Sequence, residues 1–286
     1  MIADNQTNTV YLSDILRKDI RFSETCSEIS AILDTFNIPC KYPPNTNDIW
    51  ARDYMPIQGN ENRFIEYRYD PDYLQGAEKG FRDSKTYPDI VCDSINLKTL
   101  KSDILLDGGN IVKSNECVIL TDKIFEENKK HYHKTQLIDK LKELFETDKI
   151  VILPWDKSEP YGHADGMIRF IDEGTVLING YFKEYGKKYK NDFFGSLEQN
   201  GLDYKELTFN VPNVNEDLNW AYINFLQTKD LILIPKFCID EDEQALDQIK
   251  SYYPDYNIQN RICQVNMSEI VKYGGALNCI TWTIKE

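Results

Sequence analysis

At 286 residues the chain can bury a sizeable core, as one large domain or two ordinary ones. Its composition, 41% apolar and 28% charged, is that of a soluble globular protein, and no apolar run nears the roughly 20 residues of a membrane span. A net charge of −14 and an isoelectric point near 4.8 count against nucleic acid as a partner, because phosphate backbones select basic surfaces. Residues 1–9 lack the basic and apolar regions of a secretion signal, and the seven cysteines are scattered without a CxxC pair. Both features point to reduced thiols in a cytoplasmic protein.

Residues 10–16 read as a short strand or turn. A helix follows, with Ser23 or Thr25 as its cap, Thr25 and Glu28 as a capping box, and Cys26, Ile29, Ile32, Leu33 and Phe36 as its apolar stripe. Pro39, Pro43 and Pro44 interrupt the chain before Asn47-Asp48-Ile49-Trp50-Ala51-Arg52-Asp53. Residues 63–69 look like a strand, and the polar residues 70–86 like a loop. The run Ile104-Leu105-Leu106-Asp107-Gly108-Gly109-Asn110-Ile111-Val112 leads through a Ser114-Asn115-Glu116 turn to a strand at 117–121. A helix with Leu137, Ile138, Leu141, Leu144 and Phe145 on one face, then a strand at 149–154, completes the unit.

The order of strand, turn, strand, helix and strand recurs. Gly162-His163-Ala164-Asp165 opens strands at 167–171 and 175–178, then a helix and a strand at 207–211. From Tyr222 the pattern runs through a turn at 227–230 to a strand at 231–235. There Asp240, with Glu243 three residues on, caps a helix that turns Leu246, Ile249 and Tyr253 inward before a strand at 261–265. The chain closes on Gly274-Gly275-Ala276-Leu277-Asn278-Cys279, where a cysteine at the mouth of a glycine turn opens an apolar strand. That is the placement of a nucleophile, though also of a buried thiol.

The residues that open each unit are evenly spaced. Asp53, Asp107, Asp165, Tyr222 and Cys279 lie 54, 58, 57 and 57 positions apart. A fixed period of this kind predicts five copies of a ββαβ unit presenting their openings to one centre. The centre would then hold Asp53, Asp107, His163, Asp165 and Cys279; His131 and His133, in a charged stretch, read as solvated surface. A metal site would need a second histidine or a cysteine pair at ligand spacing, which the sequence lacks. A Cys-His-Asp hydrolase would need one orienting carboxylate, not three. Two carboxylates that clamp a planar guanidinium while the cysteine attacks its central carbon suit the set best, with the third carboxylate orienting the histidine.

Trp50-Ala51-Arg52-Asp53, Asp107-Gly108-Gly109-Asn110, Gly162-His163-Ala164-Asp165, Tyr222-Ile223-Asn224-Phe225 and Gly274-Gly275 with Asn278-Cys279 resemble, in order, the signatures of the agmatine deiminase and Porphyromonas-type peptidylarginine deiminase family. The resemblance covers residues 47 to 286. It implies a five-bladed α/β propeller, the pentein fold of the guanidine-modifying superfamily, with residues 1–286 as one catalytic domain. It also implies that Cys279 is the nucleophile, His163 the general acid and base, and Asp107 the group that holds the imidazole. Asp53 and Asp165 would bind the guanidinium, Trp50 would wall the channel, and Asn224 would support the site. The implied reaction turns a small cationic guanidine into a ureido product and ammonia, as in agmatine and polyamine metabolism, and needs no cofactor or metal.

Other readings stay open. Arg52 reads as an ion-pair partner of the acids, Trp50 also as core, and Asp107 also as a turn cap. In that family a histidine commonly precedes the nucleophile, where this chain has Asn278. Agmatine stands first as substrate and free or peptidyl arginine second. An arginine carboxylate would need a cation, for which Arg63, Arg68 and Arg82 are candidates. A pentein that only binds its ligand, or one that transfers the amidino group to an amine, are the alternatives in other classes. Exposed tyrosines, of 18 in all, would suit a homodimer interface.

Overall fold

The computed structural model describes residues 1–75 and 83–286. The chain enters through β1 (Thr9–Leu12), turns through α1 (Asp14–Lys18), and continues into α2 (Ser23–Thr35) and β2 (Cys40–Lys41). The first full blade follows, with α3 (Ala51–Tyr54), β3 (Ile57–Asn60), β4 (Arg63–Arg68), α4 (Pro88–Ser94) and β5 (Thr99–Leu105). The second holds β6 (Val112–Lys113), β7 (Cys117–Thr121), α5 (Lys123–Asn128), α6 (Lys134–Phe145) and β8 (Lys149–Leu153). The third holds β9 (Ile168–Phe170), β10 (Thr175–Asn179), α7 (Lys187–Gln199) and β11 (Asp203–Leu207). The fourth holds β12 (Leu226–Gln227), β13 (Ile232–Lys236), α8 (Glu241–Tyr252), α9 (Pro254–Ile258) and β14 (Ile262–Asn266), and β15 (Thr281–Ile284) ends the chain.

Every sheet has three strands, the first antiparallel to the second and the second parallel to the third. The parallel step requires a crossover, and helices supply it. The fifth blade is built from both ends of the chain. β15 pairs antiparallel with β1, Tyr11 opposite Trp282, and β1 pairs parallel with β2. The result is a five-bladed α/β propeller whose ring is closed by its own termini. The expected strand at 10–16 is thus shorter, and it completes the unit that the last apolar run begins. No helix among the described residues is long and apolar enough to cross a membrane.

Middle strands are covered on both faces, which is why Cys117–Thr121 and Ile232–Lys236 read as near-continuous apolar runs. Third strands lie on the outer edge and are harder to see. The strand expected at 207–211 is in fact Asp203–Leu207, whose first four residues are polar or exposed. The alternation Leu207, Phe209, Val211 misleads because those backbone groups find other partners. Gln248 Oε1 accepts from Thr208 N at 3.0 Å, and Gln244 Oε1 accepts from Asn210 N at 2.9 Å. Side chains of α8 replace a neighbouring strand.

Two caps also differ from expectation. α2 starts at Ser23 with Phe22 as its N-cap, and Thr25 is inside the helix, donating to the Asn266 carbonyl at 3.4 Å. Asp240 does cap α8 by position, but its side chain makes no capping bond. Asp242, in the first turn, instead ties the preceding loop to the helix, accepting from Phe237 N at 2.9 Å and Ile239 N at 3.2 Å. The α2 stripe of Cys26, Ile29 and Leu33 is fully buried, so Leu33→Ala should cost about 2–5 kcal/mol.

Candidate active site

Each blade's first strand is entered through one helical turn or tight turn, and the predicted residues ride on these turns rather than on strands. Asp53 lies in α3. Asp107 and His163 immediately precede the 3-10 turns Gly108–Asn110 and Ala164–Gly166, Asp165 lies within the latter, and Asn224 follows the turn Asn219–Ile223. Cys279 sits in a turn just before β15, and its carbonyl accepts from Arg52 N at 3.0 Å. His163 and Asp165 therefore point to different sides of the same pocket.

On one side, His163 Nε2 is 3.0 Å from Asp107 Oδ2, and Nδ1 is 3.8 Å from Asp53 Oδ1. Gly109 N donates to the same Asp53 oxygen at 3.1 Å. A Cβ at Gly109 would stand 2.5 Å from His163 Nδ1 and 2.6 Å from Asp53 Oδ1, so only glycine lets this loop pass between them. On the other side, Asp165 Oδ2 accepts from Asn278 Nδ2 at 2.6 Å and lies 3.7 Å from Cys279 Sγ. Asn224 ties the two halves of this side together. Its Oδ1 accepts from Cys279 N at 3.2 Å, its carbonyl from Asn278 N at 2.9 Å, and its Nδ2 donates to the Asp165 carbonyl at 3.4 Å.

Asp53, Asp107, Asp165, Asn224 and Cys279 are all buried. Three carboxylates share this space with one imidazole, so the pocket is short of positive charge. Burial alone would push His163 down, but the charges of Asp53, Asp107 and Asp165 lift it to about 10. Burial, reinforced by Asp107 and Asp165 against the opposing His163, pushes Asp53 up to about 8. Burial and the carboxylates of Asp165 and Asp53 hold the Cys279 thiol well above its usual range. Among the described residues, the pocket holds a proton-rich thiol and imidazole and is short of one cation.

Trp50 is half-buried, packs on the core, and closes against Gly275, where a Cβ would overlap its ring. The core reading of Trp50 describes this packing. Asp107 is no turn cap. It makes no capping bond, and Oδ2 serves His163 and the Tyr73 hydroxyl, which donates at 3.1 Å. Tyr73 belongs to the stretch read as a loop, and with Tyr161 it frames the imidazole, ring centroids 6.2 and 5.8 Å from that of His163. An aromatic in a polar loop was the available signal. A second missed residue is Arg169, whose Nη1 donates to Asn278 Oδ1 at 2.8 Å; a charge inside the apolar run 167–171 marked it.

Several expectations are corrected. Tyr222 faces away from the pocket and donates to Asp242 Oδ1 at 2.6 Å; Asn224, two residues on, is the fourth blade's contribution. Arg52 makes no ion pair within 4 Å among the described residues, and its Nε donates to the Asn278 carbonyl at 3.4 Å. Arg63 pairs with Glu146 at the far end of β3 from Asp53, and Arg68 pairs with Asp70 at 3.1 Å. Arg82 lies outside the described residues. Exposed tyrosines among those described are Tyr87, Tyr204 and Tyr273, the rest being buried or half-buried. No group of three or more His, Cys, Asp or Glu among the described residues is arranged to hold a metal ion.

Known proteins share this fold. The agmatine deiminase of Enterococcus faecalis has the same fold, with a TM-score of 0.75 over 100% of this chain and 95% of that one at 19% identity. A C. jejuni agmatine deiminase, a cysteine-to-serine variant with substrate bound, superposes with a TM-score of 0.75 over 98% and 94% at 19% identity. In sequence, a Mycoplasma capricolum relative that carries a provisional agmatine deiminase name is 24% identical over 280 residues, covering 83% of this chain and 74% of its own. The sequence profile of Porphyromonas-type peptidyl-arginine deiminase matches residues 3–284. The chain belongs to the Porphyromonas-type peptidyl-arginine deiminase family.

Proposed function

We propose that residues 1–286 form one catalytic domain that hydrolyses the guanidinium group of a small cationic substrate, agmatine first, to a ureido product and ammonia. The observation that carries this reading is the pairing of Cys279 with Asp165 and of His163 with Asp107 and Asp53 in one buried, cation-deficient pocket. A guanidinium between Asp53 and Asp165 would supply the missing charge through planar, charge-assisted hydrogen bonds. Its arrival also favours ionisation of the thiol and of Asp53, because the anions that raise both pKa values are then neutralised.

The steps follow from these positions. The Cys279 thiolate adds to the guanidinium carbon, and one C–N bond breaks as His163 gives its proton to the leaving ammonia. The product of this half-reaction is an amidino-thioether on Cys279. Water then adds to the same carbon while His163 takes its proton, the S–C bond breaks, and the ureido product leaves with the thiol restored. Asp107 holds the imidazole, and Asn224 fixes the backbone of the nucleophile turn.

Charge around the pocket, among the described residues, favours a tail without a carboxylate. Lys123, the cation bordering the His163 loop, is already occupied, with Asp72 at 2.9 Å, the Pro160 carbonyl at 3.3 Å and the rings of Tyr73 and Trp155 against it. Names in the family favour the same order, agmatine before peptidyl arginine. Seven free cysteines support a reducing, cytoplasmic setting. The test is ureido-product and ammonia release from agmatine, free arginine and arginine peptides, with Cys279→Ser alongside. Turnover of agmatine that the variant abolishes supports the reading. No turnover on any substrate, with a Cys279 that ignores a haloacetamidine, leaves a binding protein.

A further inference from the structure

Residues 1–8 touch every blade of the propeller. Ile2 N donates to the Gln58 carbonyl of the first blade at 3.3 Å, and the Met1 ammonium to the Asn115 carbonyl of the second at 3.1 Å. Lys229 N, of the fourth blade, donates to the Thr7 carbonyl at 2.8 Å, and Asn8 N donates to the Ile284 carbonyl of the fifth at 2.8 Å. The contacts to Lys113 and to the third blade are ionic. Asp4 sends its carboxylate into the axis, where Lys113 Nζ meets Oδ1 at 2.7 Å and Arg169 Nη2 meets Oδ2 at 2.9 Å.

From Asp4 a continuous line of side chains reaches the nucleophile. Arg169, stacked 4.9 Å from the Phe225 centroid, donates its other nitrogen to Asn278 Oδ1 at 2.8 Å. Asn278 Nδ2 donates to Asp165 Oδ2 at 2.6 Å, the oxygen that lies 3.7 Å from Cys279 Sγ. A guanidinium can only donate, so Arg169 fixes which end of the Asn278 amide faces Asp165. The opposite flip would set oxygen against carboxylate. Arg169 and Lys113 are themselves buried cations, and Asp4 is the anion within ion-pair distance of both. Burial would raise the Asp4 carboxyl, but Lys113, Arg169 and Arg52 together hold it well below the usual carboxylate range.

We propose that Asp4 is a positioning residue for the reaction: it neutralises and aims Arg169, which sets the Asn278 amide and through it the orientation of Asp165 toward substrate and thiol. The proposal rests on the guanidine-hydrolase reading of the pocket. A plug with a purely structural task would hold the blades together and leave Asp165 unaffected.

The experiment compares wild type with Asp4→Ala in kcat/KM for agmatine, in melting temperature, and in the rate at which 2-chloroacetamidine, a guanidinium-like cation, alkylates Cys279 relative to neutral iodoacetamide. Peptide mass spectrometry reads the alkylated cysteine. Misplacing Asp165 should lower kcat/KM roughly tenfold to a hundredfold, with most of the change in KM, and cut the chloroacetamidine preference similarly. Sodium formate, a carboxylate small enough for the vacated place beside Arg169 and Lys113, should restore both several-fold, with sodium chloride at equal ionic strength as control. A variant that melts lower yet keeps wild-type kcat/KM and wild-type labelling preference, at a temperature where it is fully folded, overturns the proposal. So does a loss that formate does not reverse. Should Asp4→Ala not fold, Asp4→Asn keeps the side-chain shape and is read by kcat/KM, melting temperature and labelling preference alone, since it leaves no place for formate. The labelling preference needs no turnover: a wild type that labels without turning over contradicts the hydrolase reading while still testing Asp4.

Discussion

The Sγ of Cys279 lies 3.7 Å from Oδ2 of Asp165, so the substrate-free thiol faces the carboxylate proposed to hold the guanidinium. A thiolate there is opposed by burial and by two carboxylates. Neutral iodoacetamide should therefore label Cys279 slowly at pH 7, and a cationic haloacetamidine should label it far faster. Asp165→Asn should erase most of that difference. Equal rates for both reagents in wild type would contradict the electrostatic account.

The pH profile follows from raised pKa values on three groups. Asp53, near 8, and the Cys279 thiol, held above its usual range, must both be ionised for a guanidinium to bind and react, so kcat/KM should rise with pH through neutrality and still be rising at about pH 8. His163, near 10, must carry the proton for ammonia, so activity should fall as pH passes about 10. Bound guanidinium stabilises the Asp53 carboxylate, and the acid limb of kcat should lie at lower pH than that of kcat/KM. An optimum below pH 7 would contradict this assignment.

Gly109→Ala should be severely defective although it changes no reacting group. Its Cβ would press on His163 Nδ1 and Asp53 Oδ1 together. Displacing either by about 1 Å is worth roughly a hundredfold in rate. Steady-state kinetics beside a near-wild-type circular dichroism spectrum would check it.

Asp53→Asn should abolish turnover without lowering stability. The folded protein binds a proton at Asp53 that the unfolded chain has released above about pH 4, so this group's contribution to stability falls as pH rises toward about 8. The amide removes that dependence. The melting temperature of the variant should match or exceed wild type, by a margin that grows from pH 4 to 8. A lower melting temperature throughout would mean that Asp53 serves the fold.

The repeat was legible because each blade spends a similar length of chain on the same task. Asp53, Asp107, Asp165 and Cys279 recur at that period because a helical turn enters each first strand at the axis. Tyr222 kept the period but missed the pocket, since in that blade the polar side chain facing inward comes two residues later, at Asn224. What stayed hidden was of two kinds. The edge strand Asp203–Leu207 has no apolar face to announce it. Asp4, Tyr73 and Arg169 act through partners more than thirty positions away, and pairing across such distances leaves no local pattern.

The most direct test of the central claim is intact-protein mass spectrometry of wild type mixed with agmatine and acid-quenched during turnover. The account predicts a protein heavier by agmatine less ammonia, localised to Cys279, absent in Cys279→Ser and decaying as ureido product forms. Ureido product formed at full rate with no such adduct at any quench time, or formed by Cys279→Ser, would contradict covalent hydrolysis through this cysteine.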